Sequence, residues 1–69
     1  MRYILIAELG TTTNVVPFDA ESDTDAEMTA AFKVMRAAPG SRLWARGEIT
    51  LKNEAGNVIS RMPAKRDDL

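Results

Sequence analysis

The amino-acid sequence predicts an α+β fold. The expected form is a small two-layer sandwich, an antiparallel sheet of three or four strands with one helix packed on one face, in the order β-(β)-α-β-β. Three observations predict it. Segment 2–9 is a short apolar run of strand length, 24–38 repeats apolar residues at helical spacing, and 42–52 alternates with period two before a hairpin loop.

Residues 2–9 place Tyr3, Leu5, Ala7 and Leu9 on one face and Ile4, Ile6 and Glu8 on the other. Both faces are apolar for most of the length, which suits a central strand or one covered on its second face. Gly10 and the threonines Thr11, Thr12 and Thr13 read as a turn that Asn14 closes. Val15, Val16 and Phe18 then give either a short edge strand that tolerates Pro17 or an extended loop with Phe18 tucked beneath the helix.

The helix expected over 24–38 has Met28, Ala31, Phe32 and Met35 at i, i+3, i+4, i+7, with Val34 and Ala38 widening that stripe. This face is expected to be the buried one, with Thr29, Lys33 and Arg36 on the solvent side. Thr24 and Glu27 have capping-box spacing, acids gather at the first turn, and Pro39 and Gly40 stop the helix.

Over 42–52, Leu43, Ala45, Gly47, Ile49 and Leu51 form an expected inner row, and Arg42, Trp44, Arg46, Glu48, Thr50 and Lys52 an outer row. Gly47 marks a bulge or a close approach of the helix. Residues 53–57 form a hairpin loop in which Gly56 takes positive φ, and 58–62 returns. Two registers fit, one pairing Leu51 with Ile59 and the other Ile49 with Met62.

The 69 residues make one domain, expected over 1–63, with a polar tail at 64–69. A chain this short buries only about 60% of its unfolded surface, so its core is thin. Neither cysteine nor histidine is present, which removes a disulfide framework and a Cys/His zinc site as supports. Association with a copy of itself or with another protein is the remaining common route to more buried area. Nine bases against ten acids give a net charge of −1 and no bulk attraction to nucleic acid or an anionic membrane. The opening MRYILIAELG is too short and too interrupted for a membrane span or a signal, so a soluble, cytoplasmic protein is expected.

Catalysis is not expected. With no His or Cys, a nucleophile lacks its usual base, and the four glycines are too scattered to cradle a phosphate. No cofactor is implied. The acids Asp19, Glu21, Asp23, Asp25 and Glu27 mimic a calcium loop, yet Thr24 stands where that loop turns on glycine and Ala30 where it needs a bidentate glutamate. No metal site is therefore expected.

The expected binding residues are Trp44 with Arg42 and Arg46 on the outer strand face, and Lys52 further along it. Tryptophan and arginine are enriched at interface hot spots. The same trio can stack a base and hold phosphates, or Trp44 can cover the second face of the first strand within one chain, with the arginines snorkelling around it. In length, in Ala, Arg, Asp and Thr usage and in element order, the chain resembles small orphan proteins of high-GC actinobacteria and their phages. That resemblance implies a partner protein in a host. The sequence thus predicts a non-catalytic protein–protein interaction module, homodimeric through the outer sheet face. The alternative is a small nucleotide- or nucleic-acid-binding module using Arg42, Trp44 and Arg46.

Overall fold

Alternating apolar side chains carry the first two strands into a hairpin in the computed structural model, which describes residues 1–64. Strand β1 (Arg2–Leu9) pairs antiparallel with β2 (Thr12–Asp19), from Arg2 opposite Asp19 to Leu9 opposite Thr12. Only Gly10 and Thr11 connect them, and Gly10 takes φ 61°, as a primed two-residue turn with glycine first requires. Of the two readings of 15–18, the strand forms, and it is longer than the sequence suggested. Thr12, Thr13 and Asn14 belong to it and not to the turn. Pro17 is accommodated because β2 is an edge strand.

Helix α1 (Asp23–Ala37) follows, then a 3₁₀ turn (Ala38–Gly40), a short helix α2 (Arg42–Arg46), and the strands β3 (Glu48–Asn53) and β4 (Val58–Met62). The four strands form one antiparallel sheet in the order β2-β1-β3-β4, so β1 is central, the first of the two readings its apolar faces allowed. Ile49 lies opposite Met62, which selects the second of the two hairpin registers. A bulge between Leu51 and Lys52 then shifts the pairing, so that Lys52 faces Val58. At the loop, Gly56 takes φ 88°, and the Asn53 side-chain oxygen accepts from the backbone N–H groups of Ala55 and Asn57.

Register sorts the sheet into two faces. Tyr3, Leu5, Ala7, Val16, Phe18, Ile49 and Leu51 share the face that the helices cover. Ile4, Ile6, Val15, Pro17, Thr50 and Lys52 share the other, over which no helix lies among the described residues.

Two expectations about the helices are corrected. First, α1 is rotated so that its small residues face the sheet. Ala26 and Ala30 are buried and Val34 and Ala37 pack against the core, whereas Met28, Phe32 and Met35 are exposed. The large side chains already standing on the sheet, Tyr3, Leu5 and Leu51, leave room for a helix only at close range, which alanine permits. The helix starts at a Ser22 cap and not at Thr24. The Ser22 hydroxyl accepts from the N–H of Asp25 at 3.1 Å, and the Asp25 carboxylate accepts from the N–H of Glu21 at 3.0 Å.

Second, 42–46 is helical and not the first half of a long strand. Arg, Leu and Ala are good helix formers, and the Ser41 hydroxyl accepts from the N–H of Trp44 at 3.3 Å to cap the turn. Gly47 ends it, its N–H donating to Leu43 at 2.8 Å. The polar tail expected at 64–69 lies, from 65 onward, outside the described residues.

Candidate functional site

The predicted site residues do not share a face. Because 42–46 is a helix, Arg42 and Arg46 stand one turn apart at its surface and Trp44 turns inward. Trp44 is 8% exposed and belongs to the core on the helix-covered side. Lys52 lies on the opposite side of the sheet, between Ile4 and Val58. The outer strand face that was to hold all four, and on which both the expected sheet-face dimer and the nucleic-acid alternative relied, is therefore corrected. Of the three readings of Trp44, burial within the chain holds, but on the helix-covered face and not on the second face of β1 where that reading put it.

What the sheet and helix do expose is a different surface. Along α1, Met28, Phe32 and Met35 are 69%, 54% and 73% exposed and follow one another at i, i+4, i+7. That spacing puts them on a single stripe facing away from the sheet. The spacing was visible in the sequence; the direction in which the stripe points was not.

One contact anchors the helix in this rotation. The Tyr3 hydroxyl donates to the Asp23 carboxylate at 2.7 Å, tying the first turn of α1 to the central strand. Asp23, Ala26, Ala30 and Ala37 all fall on the inward stripe. That hydrogen bond, with burial and the neighbouring negative charge behind it, pushes the Tyr3 pKa up to about 12. Since the folded value lies above the ordinary value of about 10, the protonated hydroxyl stabilises the fold below that pH. The contribution is lost as pH rises toward the folded value. Tyr3 is the only tyrosine, so an ultraviolet titration reads it alone. The expected midpoint is about 12, falling in Asp23→Asn. An ordinary midpoint in the folded wild type would mean the anchor is not made.

Three of the acids around the start of α1 are engaged in structure. Asp19 meets Arg2 at 3.2 Å, Asp23 holds Tyr3 and Asp25 completes the cap. Among the described residues no cluster of three or more acids is arranged to hold a metal ion, and no helix is long and apolar enough to cross a membrane. Compared with known proteins, the chain matches no family model, no curated protein and no solved structure.

Proposed function

We propose that the chain is a non-catalytic protein-interaction module that pairs with a second copy through the outer face of α1. One observation carries this reading: the largest apolar side chains of the helix, Met28, Phe32 and Met35, point away from their own core. Methionine and aromatic residues are enriched at interfaces, and burying such a stripe removes apolar surface from water.

A second copy fits the charge pattern. Acids (Glu21, Asp25, Glu27) crowd the start of α1, and bases (Lys33, Arg36) lie near its end. Two antiparallel copies related by a two-fold axis near Ala31 and Phe32 set the acid-bearing end of one beside the base-bearing end of the other. Their helix dipoles then oppose favourably as well. The uncovered sheet face is the competing surface. Its half-buried Ile4 and Ile6 and its exposed Val15 offer less, and valine is rarely a hot-spot residue.

Sedimentation velocity tests the proposal. Wild type is expected to sediment as a dimer at high micromolar concentration, and Phe32→Glu as a monomer of 7.6 kDa. Ile6→Glu, on the uncovered sheet face, is expected to remain dimeric. A monomeric wild type would defeat self-association, and dissociation by Ile6→Glu instead of Phe32→Glu would move the interface to the sheet.

A further inference from the structure

A groove separates β2 from the second half of α1, and it has the chemistry of a small-molecule site. Its volume is about 490 Å³, and its apolar surface comes from Val16, Ala37, Phe32 and the inward ring of Trp44. Sites for small ligands run from about 300 to 1,000 Å³ and combine apolar walls with a few polar groups. Here the polar groups are Asn14, Thr29 and two cations, Lys33 and Arg36.

The cations decide what the groove can take. Lys33 Nζ sits 5.7 Å from the centre of the Phe18 ring, and the Arg36 guanidinium sits 5.5 Å from that of Phe32. No acid lines the groove, and among the described residues neither cation forms an ion pair. Both positive charges are thus held beside an apolar trough, steadied by ring faces and not neutralised by a carboxylate. A neutral apolar ligand would leave them unused, and a hydrophilic anion would leave the trough empty.

We infer that this groove binds a small amphipathic anion, an apolar and preferably aromatic body bearing one carboxylate or sulfonate. The body lies against Trp44 and Val16, and the anionic group reaches Lys33 and Arg36. This does not rest on self-association; Phe32, Lys33 and Arg36 border both surfaces, so a dimer packed on the outer face of α1 would compete with the anion for them.

Trp44 is the only tryptophan, so it reports on its own site. The probe is 1-anilinonaphthalene-8-sulfonate, which accepts energy from a nearby excited indole. Titration is expected to give saturable energy transfer at one dye per chain. The double variant Lys33→Glu/Arg36→Glu, changed at exposed positions, is expected to bind about tenfold more weakly or worse, the usual size for losing a hydrogen bond to a charged group. Asn14→Phe, which fills the groove from the edge strand, should weaken binding without changing charge. The uncharged N-phenyl-1-naphthylamine should bind more weakly than the sulfonate.

Met28→Glu/Met35→Glu separates the two readings, because it changes the two methionines of the outward stripe, neither of which lines the groove. Unchanged or tighter dye binding in that variant supports the groove, since loss of a dimer would only uncover Phe32, Lys33 and Arg36. Loss of binding there would place the dye on the outer helix face and overturn the inference. So would unaltered affinity in the charge-reversed variant, or transfer that never saturates.

Discussion

Trp44→Ala is expected to cost about 3–5 kcal/mol of stability, the range for emptying a large buried aromatic site. For a domain of this size the total is of the order of 5 kcal/mol, so the variant should be largely unfolded at room temperature. The side chain lies on the helix-covered side with Val34, Ala37 and Ile49, among the partly and fully buried residues that make up the core. The α1 residues of that core are Ala26, Ala30, Val34 and Ala37, mostly alanines too short to close over a cavity. Met35→Ala is the contrasting substitution. Met35 lies 73% exposed, so its loss should shift intrachain stability by no more than about 0.5 kcal/mol when measured at concentrations below association. Urea unfolding followed by far-ultraviolet circular dichroism compares the two, since Trp44→Ala removes the fluorophore. Equal midpoints would mean that Trp44 is not a core residue.

That contrast reverses what hydrophobicity alone suggests for α1, and the reversal shows where sequence reasoning stops. The period of the helix was legible because spacing is local. Which of its two apolar stripes turns inward was not, since that depends on what already stands on the sheet. Tyr3, Leu5, Leu51 and Trp44 fill the space, so the alanine stripe fits and the methionine stripe does not. The groove was lost with the same misreading, because Lys33 and Arg36 look like plain solvent residues until the helix is turned.

The segment 42–46 failed for a different reason. Five residues span barely more than one helical turn, too few for period two and period 3.6 to be told apart. The decisive signal was at its edges, in the Ser41 cap and the Gly47 stop, not in the alternation. Where the cue was local chemistry, the sequence was enough. Gly56 turns the last hairpin with positive φ, and Pro17 sits on an edge strand.

Gly47→Ala is expected to destabilise by about 3 kcal/mol or more, the upper end of what overpacking costs. The reason is steric and not conformational. Gly47 does not have positive φ, so alanine can adopt its backbone angles without penalty. A Cβ there, however, would lie 2.6 Å from the carbonyl oxygen of Glu8 and closer still to that of Leu43. Both are backbone atoms and neither yields cheaply. Leu43 holds the terminal hydrogen bond of α2, and Glu8 is paired on both sides, with Thr13 on β2 and Glu48 on β3. Making room means lifting α2 off the end of β1, and Trp44 rides on α2. Gly40→Ala is the control, because a Cβ at that position meets nothing within 4 Å. Both substitutions reduce the freedom of the unfolded chain alike, so the difference between them isolates the close approach. Urea midpoints should place Gly40→Ala near wild type and Gly47→Ala far below it. If the two variants unfold together, α2 does not pack against β1 at this distance, and the placement of Trp44 beneath the main helix falls with it.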